Sequence, residues 1–259
     1  MDINKIKKIP DQQNNVILLY DENDHLINIP ESIAIIMDGN RRYAEKQGIA
    51  RALGHKAGCE ALETILEECV RIGVKYLTVY AFSTENWKRS EDEINSLFNL
   101  FSIYINKIKV KAMENNVKVD FIGDITKFPD KIFNDCYELI NLTKNNNRCL
   151  FSIALNYGSR DEIIRTIKKI FTEINNIDNL DEKKFSSFLD TKNIKDPDLL
   201  IRTSGEFRLS NFLLWQLAYS EIYITDVLWP EFNENELYKA ILNYNMRERR
   251  FGGRKIEKK

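Results

Sequence analysis

Short apolar runs alternate with helical segments along most of the chain. Runs of four to eight apolar or β-branched residues are typical of buried strands. We predict six strands in this way, at residues 33–37, 76–82, 117–122, 149–155, 199–201 and 222–229. In the segments between them, apolar residues recur every three to four positions, which predicts helices over 59–71, 90–115, 132–142, 161–174, 185–189 and 233–244.

This alternation indicates an α/β fold. Strands that alternate with helices favour a mainly parallel central sheet, of about six strands here, with helices on its faces. No shift in composition divides the chain, so we expect one domain over residues 31–254. Residues 1–30 mix lysines, amides and acids around one apolar patch, and we interpret them as an N-terminal extension with a short added strand.

Glycines interrupt the helical pattern that follows the first strand. The pattern begins at Ala44, but Gly48, Gly54 and Gly58 lie in its first half. Because glycine destabilises a helix interior, we expect the firm helix to begin only at Cys59.

The first strand ends in a group of polar residues, IAIIMDGNRR at 33–42. Asp38 follows the apolar run, and ligands of open α/β sheets bind at that end of a strand. Arg41 and Arg42 offer donors that suit phosphate or carboxylate groups. An acid beside arginines fits Mg²⁺, which proteins hold with one or two carboxylates together with substrate phosphates. A turn with solvated charges has the same appearance, so this stretch alone leaves both interpretations open.

Other strands also end in polar residues. The carboxyl ends of parallel strands meet at one edge of a sheet. We therefore expect a cluster there of Asp38, Asn40, Arg41, Arg42, Arg51, Ser83, Asn86, Arg89, Arg202, Arg208, Ser210 and Glu221. Many donors with few acids suit a ligand that carries two or more phosphates. His55 lies close to a predicted helix start and is either an anion ligand or an ordinary surface or core histidine.

The helix predicted over 90–115 is apolar on a wide face. Ser90 and Glu93 have the spacing of a capping box at its start. The apolar positions that follow at helical spacing are Ile94, Leu97, Phe98, Phe101, Tyr104, Ile105 and Ile108. Such a face either packs in the core or lines a groove for a long hydrocarbon, and the pattern fits both.

Composition limits the classes of function. The net charge of −1 argues against a general nucleic-acid binder, which has a basic footprint. Four cysteines without CxxC spacing and only two histidines disfavour a structural zinc site, and they favour reduced thiols in a cytoplasmic protein. No apolar stretch approaches the ~20 residues that span a membrane, and no apolar segment of a secretory signal follows the N-terminal lysines.

Common catalytic motifs do not match. The chain has no GxxxxGK[ST], no GxGxxG that opens a helix and no GxSxG. The run IIMDGN is similar to the D-x-D-G-T run of haloacid-dehalogenase phosphatases, but Ile36 stands where their nucleophilic aspartate would be. The missing carboxylate argues against that covalent chemistry.

Seven blocks of the chain together resemble the cis-prenyltransferases, the undecaprenyl diphosphate synthase family that includes dehydrodolichyl diphosphate synthases. The blocks are MDGNRRYA (37–44), GHKAG (54–58), YAFSTENWKR (80–89), NYGSR (156–160), IRTSGEFRLSNFLLWQLAYSE (201–221), DVLWPEF (226–232) and RERRFGG (247–253). They follow the family's order and cover about residues 32 to 253. The resemblance implies the family's fold, with an apolar product tunnel.

The resemblance also implies roles for individual residues. Asp38 and Asn86 would be catalytic, and Asp38 and Glu221 would hold Mg²⁺. The allylic diphosphate would be bound by Gly39, Asn40, Arg41, Arg42, Tyr43, Arg51 and His55. A mobile loop that orients the substrates would carry Ser83, Thr84, Glu85, Asn86, Trp87 and Arg89. Isopentenyl diphosphate would be bound by Arg202, Arg208, Ser210, Arg250 and Gly252.

The implied function is Mg²⁺-dependent elongation of an allylic diphosphate, farnesyl or geranylgeranyl diphosphate, with successive isopentenyl diphosphates to a medium- or long-chain cis-polyprenyl diphosphate. We expect a cytoplasmic homodimer that associates with a membrane only through its product and does not bind nucleic acid. The alternative is a non-catalytic partner subunit of the same fold. The retained Asp38, Asn86, Arg250 and Gly252 favour the enzyme, and the absence of DDxxD disfavours a trans-prenyltransferase. The family often has glycine at the position of Arg41, whose side chain we therefore expect to face solvent.

Overall fold

Six parallel strands form the centre of the molecule, in a computed structural model that describes residues 3–174 and 177–247. The strands of the chain are β1 (Lys7–Asp11), β2 (Val16–Tyr20), β3 (Ser32–Ile36), β4 (Tyr76–Ser83), β5 (Val117–Ile122), β6 (Cys149–Tyr157), β7 (Leu199–Arg202) and β8 (Glu221–Ile224). The central sheet has the order β5-β6-β4-β3-β7-β8, and every neighbouring pair is parallel. The predicted α/β class and the predicted six-stranded sheet are confirmed.

Helices flank this sheet. They are α1 (Asn40–Gln47), α2 (Arg51–Arg71), α3 (Glu91–Glu114), α4 (Asp130–Thr143), α5 (Ser159–Glu173), α6 (Glu182–Ser186) and α7 (Glu234–Asn245). Successive strand residues point to opposite faces, so Ile33 and Ile35 pack with α2, α3, α4 and α7, whereas Ala34 and Ile36 pack in a second cluster with residues of segment 212–217. No helix in the described ranges is long and apolar enough to cross a membrane.

The direction of the chain across the sheet changes at β3. The chain continues from β3 to its neighbour β4 on one side, and it returns much later to form β7 on the other side. Ile36 at the end of β3 pairs with Arg202 at the end of β7. Ligands of open α/β sheets bind in the crevice beyond the carboxyl ends of strands at such a reversal. The topology therefore indicates a binding site between the ends of β3 and β7.

The prediction that the helix after β3 begins at Cys59 was wrong, because two of the glycines serve close packing. Helix α2 begins eight residues earlier and contains Gly54 and Gly58, both buried. A Cβ atom at Gly54 would overlap the backbone oxygen of Asn40, and one at Gly58 would overlap its side-chain oxygen. The actual break is Gly48, which ends α1 with φ of 64°.

Two other boundaries differ for local reasons. The strand predicted over 222–229 ends at Ile224, because the chain beyond it bonds to the loop after β7: Val227 O accepts from Ser204 N–H at 2.9 Å. The helix predicted over 185–189 lies at Glu182–Ser186, because the Asp181 side chain caps its start. The predicted Ser90 cap is present, and its hydroxyl accepts from Glu93 N–H.

The N-terminal segment forms two strands instead of the single added strand we expected. Strands β1 and β2 pair antiparallel and form a separate two-stranded sheet. Leu19 of β2 is 1% exposed and belongs to the main core cluster. The hairpin is thus packed onto the domain, and a domain boundary near residue 30 stays a prediction.

The packing at Gly54 generates a test. An open helix position gains about 1 kcal/mol in stability when glycine becomes alanine. We expect Gly54→Ala instead to lower the free energy of unfolding by about 1–3 kcal/mol, because the methyl group would push α2 away from α1. Urea denaturation measures this change, with the exposed Lys56→Ala as the control in the same helix. A stabilised Gly54→Ala variant would contradict the close-packing account.

Candidate active site

Asp38 and Arg202 form an ion pair at the reversal of the sheet. Asp38 lies two residues beyond β3 and Arg202 ends β7, so the strand register brings their side chains together. Arg202 Nη2 donates to Asp38 Oδ2 at 2.9 Å. Arg202 is 3% exposed, whereas the Asp38 side chain is 26% exposed. The carboxylate therefore faces an accessible space, and the buried guanidinium fixes it from below.

Two further arginines surround the same carboxylate. Arg42 Nη2 lies 3.3 Å from Asp38 Oδ1, and Arg208 Nη2 lies 3.9 Å from Asp38 Oδ2. Glu206 pairs with both arginines, at 3.1 Å from Arg42 Nη1. The hydrogen bond from Arg208 lowers the pKa of Glu206. Three guanidinium groups thus face only two carboxylates, which favours the binding of anions.

The loop after β7 is held in a constrained conformation. Ser204 and Ser210 have φ of 75° and 50°, values that residues other than glycine adopt rarely. Arg202 Nη1 donates to Ser210 Oγ at 3.0 Å and also to the backbone oxygen of Arg208. Strained backbone persists only where the surroundings fix it. Arg202 therefore fixes the loop that carries Arg208 and Ser210, two further predicted ligands of isopentenyl diphosphate.

Helix α1 begins directly at the site. Gly39 precedes it with φ of 117°, and a Cβ atom there would overlap Ser204 Oγ. The first N–H groups of a helix lack partners within the helix and attract anions. Asn40 lines the cavity described below, and Tyr43 is partly buried in the first turn. A glycine is required here because the chain must turn sharply against the β7 loop.

His55 lines the cavity, whereas Arg51 and Arg41 do not belong to its lining. Arg51 is the exposed first residue of α2, and His55 one turn later lines the cavity. Burial lowers the pKa of His55, and the positive charge of Arg89 lowers it further. Arg41 Nε donates to Glu45 at 2.8 Å, and its side chain is 63% exposed. Arg41 therefore faces away from the cavity, as we expected.

The segment after β4 covers the edge of the site as a 3-10 turn, Thr84–Lys88. Ser83 N–H donates to Asn86 Oδ1 at 2.9 Å, and Trp87 Nε1 donates to Asn156 Oδ1 at 2.7 Å. The cavity is lined by four of the predicted loop residues, Ser83, Glu85, Asn86 and Arg89. Thr84 and Trp87 support the turn without lining the cavity.

An apolar cavity of about 720 Å³ opens from the arginine cluster. At the carboxyl edge of the sheet it is lined by Asp38, Arg202 and Arg208, and at the opposite edge it reaches Val117, the first residue of β5. The helical walls include Leu62, Leu66, Leu97, Phe101, Tyr104, Ile105 and Ile108. The apolar face of α3 therefore serves both functions that the sequence left open, since Leu97, Ile105 and Ile108 are buried in the core and also line the cavity.

Glu221 does not lie at this edge, contrary to our prediction. It is the first residue of β8 and pairs with Leu199, the first residue of β7, so it lies at the opposite end of these strands from Arg202. Arg247 Nη1 contacts its carboxylate at 2.8 Å. Glu221 directly precedes the strand predicted over 222–229, so in a parallel sheet it belongs to the amino edge, and grouping it with residues that follow strands was wrong. Arg250 and Gly252 lie outside the described residues.

The donor set fits a metal that is shared with a ligand. No group of three histidine, cysteine, aspartate or glutamate residues within 3–174 and 177–247 is arranged to hold a metal. Asp38 nevertheless presents an accessible carboxylate on a surface suited to phosphate. Mg²⁺ is bound in proteins by one or two carboxylates plus substrate phosphates. Asp38 would therefore hold such an ion only together with a bound diphosphate.

The chain matches one family along most of its length. The model of that family, described as putative undecaprenyl diphosphate synthase, matches residues 36–252. An isoprenyl transferase of Fusobacterium nucleatum is 52% identical over 226 residues, 87% of this chain and 97% of that protein. An isoprenyl transferase of Clostridium tetani is 50% identical over 232 residues, 88% of this chain and 91% of that protein.

Solved structures agree with this match. Lavandulyl diphosphate synthase from Lavandula x intermedia, crystallised with dimethylallyl diphosphate, superimposes with a TM-score of 0.83 at 33% identity over 86% of this chain and 98% of that one. A probable undecaprenyl diphosphate synthase from Campylobacter jejuni gives a TM-score of 0.74 at 34% identity over 87% and 99% of the two chains. The chain belongs to the undecaprenyl diphosphate synthase family. It is a prenyltransferase.

Two polar residues of this prenyltransferase site were not predicted from the sequence. Glu206 balances Arg42 and Arg208, and it lies in the run RTSGEFR between two arginines that were selected. Asn211 contacts Glu85 at 3.0 Å and follows the selected Ser210. Both belong to a block that carries the family resemblance, and their positions beside predicted ligands are the sequence signal that points to them.

The titration of His55 provides a test of the predicted anion binding in this prenyltransferase. Its lowered pKa predicts a titration midpoint below the usual value of about 6.5. A diphosphate bound beside it should raise the midpoint, because negative charge stabilises the imidazolium. Proton NMR measures the shift on addition of inorganic diphosphate. His25, the second histidine, is an internal reference because it lies on the loop after β2. An unchanged His55 midpoint at saturating diphosphate would place the anion elsewhere.

Proposed function

We propose that this prenyltransferase elongates an allylic diphosphate, farnesyl or geranylgeranyl diphosphate, with successive isopentenyl diphosphates to a medium- or long-chain cis-polyprenyl diphosphate. One observation carries the proposal. The arginine cluster around Asp38 opens directly into an apolar cavity of about 720 Å³, so a diphosphate head and a hydrocarbon tail find complementary surfaces in one space. Buried apolar surface contributes roughly 25 cal/mol per Å², which makes the tail a substantial part of the affinity.

Asp38 and the start of α1 would bind the allylic diphosphate. Arg42 contacts Asp38, and the first N–H groups of the helix are aligned toward the strand ends. A bound Mg²⁺ would neutralise charge on the leaving diphosphate as the allylic carbon–oxygen bond breaks. Arg42 and the helix N-terminus would stabilise the same charge as it develops. Glu221 as a further metal ligand stays a prediction.

Arg202, Arg208 and Ser210 would bind isopentenyl diphosphate. Arg202 already connects Asp38 to Ser210, through hydrogen bonds of 2.9 and 3.0 Å. The two diphosphates would therefore lie on either side of one guanidinium. Such a shared anchor fixes the distance between the reacting carbons and provides a proximity effect.

The turn over Thr84–Lys88 would orient the two substrates. Asn86 and Arg89 line the cavity beside His55. Arg89 is paired with Glu93 at 2.8 Å in this structure, so its guanidinium is already positioned before a ligand arrives. A polar side chain such as Asn86, or the departing diphosphate, would accept the proton that the isopentenyl unit loses when the new carbon–carbon bond and the new double bond form.

A non-catalytic partner subunit is the alternative. Such a subunit would not need the set of Asp38, Asn86, Arg202 and Arg208 around one cavity, and this chain has all four there. The arrangement therefore favours catalysis. We also propose that the protein is cytoplasmic and meets a membrane only through its lipid product.

Turnover tests the proposal directly. The purified chain should incorporate labelled isopentenyl diphosphate into farnesyl or geranylgeranyl diphosphate with Mg²⁺, and chromatography would size the products. Asp38→Ala should lower the rate by about a hundredfold or more, because it removes the carboxylate at the departing charge. Asp24→Ala, at a side chain that is 71% exposed in the N-terminal region, is the matched control. Absence of product from the wild-type chain, or an Asp38→Ala variant with near-normal turnover, would refute the assignment.

We further propose a homodimer. Phe207 is 86% exposed and Ile222 is 40% exposed, and both line a second groove together with Arg202 and Arg208. The same groove is lined by Leu200, Leu209, Tyr223 and Ile224. Contiguous apolar surface of this kind favours contact with another chain. A second copy would bury them and close the open side of the isopentenyl diphosphate site.

The molar mass of the protein in solution tests the proposed dimer. Phe207→Glu should convert a dimer of the wild-type chain to a monomer in light scattering, since a charge would be buried at the interface. Tyr137→Glu, at a position of α4 that is 60% exposed, should leave the dimer intact. A monomeric wild-type chain, or a Phe207→Glu variant that stays dimeric, would contradict this surface.

A further inference from the structure

Asn211 connects three parts of the molecule that the proposed mechanism uses separately. It ends the loop that carries Arg208 and Ser210. Its backbone oxygen accepts from Ser159 N–H at 2.8 Å, and its side-chain Oδ1 accepts from Arg160 N–H at 3.0 Å. Its side-chain Nδ2 donates to Glu85 Oε1 at 3.0 Å. The residue therefore caps the N-terminus of α5 and holds the turn over Thr84–Lys88 at the same time.

The chemistry of this position requires an amide. The helix start offers a donor and Glu85 offers an acceptor, so the side chain must present an oxygen on one side and an N–H on the other. Asparagine does so in a single short side chain, and the two partners fix the orientation of its amide. Asn211 also has φ of 63°, a conformation that asparagine tolerates better than most residues. Aspartate would keep the cap on α5 but would turn a carboxylate toward Glu85.

Gly158 keeps space for this connection. A Cβ atom there would lie 2.7 Å from Asn211 Nδ2 and 2.6 Å from Thr84 Oγ1. Its own φ of −156° is accessible to any residue, so the requirement for glycine is one of space. Two independent features, the bonding of Asn211 and the missing side chain of Gly158, thus serve the same contact between the turn and the loop.

We propose that Asn211 is a positioning residue that couples the turn over Thr84–Lys88 to the loop of the isopentenyl diphosphate site, through its hydrogen bond to Glu85. The proposal rests on the proposed function for its kinetic consequence, but the contact itself does not depend on catalysis. Because Ser210 precedes Asn211 directly, a displaced turn would also move Ser210, which would bind isopentenyl diphosphate.

A paired substitution of the two side chains tests the coupling. Asn211→Asp should raise KM for isopentenyl diphosphate about tenfold, with a smaller change in kcat, because it replaces a hydrogen bond to a charged group by repulsion. In the Glu85→Gln background the same substitution should raise KM less than about twofold, because the amide introduced there can donate to the new carboxylate. Asn233→Asp is the matched control, since Asn233 also caps a helix through its side chain, at α7.

Hydrogen exchange of residues 83–89 gives a second readout that needs no turnover. Asn211→Asp and Gly158→Ala should each speed exchange in this segment about tenfold relative to the wild-type chain and to Asn233→Asp. Unchanged exchange in both variants, or an equal effect of Asn211→Asp on KM with and without the Glu85→Gln substitution, would overturn the proposal. A wild-type chain that forms no product would refute the proposed function, and hydrogen exchange would then still decide the coupling.

Discussion

The ion pair between Asp38 and Arg202 is the interaction on which the rest of the site depends. A buried guanidinium is stable only when it is paired and hydrogen-bonded, and Arg202 is 3% exposed. Its partner is held equally firmly. The backbone oxygen of Asp38 accepts from Trp229 N–H at 3.0 Å, from Thr203 Oγ1 at 2.6 Å and from Ser204 Oγ at 2.9 Å. Since Arg202 ends β7 and Asp38 lies just beyond β3, the backbone of each residue is fixed by the sheet, and only the side chains are able to exchange partners.

The charges of the arginine cluster are paired within the protein before a ligand binds. In the absence of a ligand, Asp38 and Glu206 supply the negative charge that three arginines require. A diphosphate would take over that pairing, and Asp38 would then be released toward a metal ion. The donors are already in place, so little reorganisation accompanies the change. Because the donors are already in place, the arginine cluster around Asp38 is formed in the structure without a ligand.

Much of this arrangement could be predicted from sequence, because the apolar run before Asp38 and the topology rule for parallel strands suffice to bring Asp38 and Arg202 together. Packing between helices is different. Gly54 lowers helix propensity, yet it lies in the interior of α2, since the backbone of α1 approaches it too closely for any side chain. The sequence is also a poor guide to whether a polar residue ends one apolar stretch or begins the next strand. Glu221 lies between the apolar stretch 212–219 and the strand predicted over 222–229, and the structure shows that it begins β8, whereas 212–217 forms turns. One incorrect assignment of an apolar run therefore moves a side chain by the full length of a strand.

Under the proposed function, the shape of the apolar cavity would separate the chemistry from the size of the product. Its polar end is fixed at the carboxyl edge of the sheet, and its walls follow the strands toward Val117 at the other edge. Strands rise about 3.3 Å per residue, so the nine residues of β6 span roughly 30 Å. A growing hydrocarbon would extend along that direction while each new bond forms at the same place. The length of the product would then depend on how far α2 and α3 leave the cavity open, and not on the groups around Asp38.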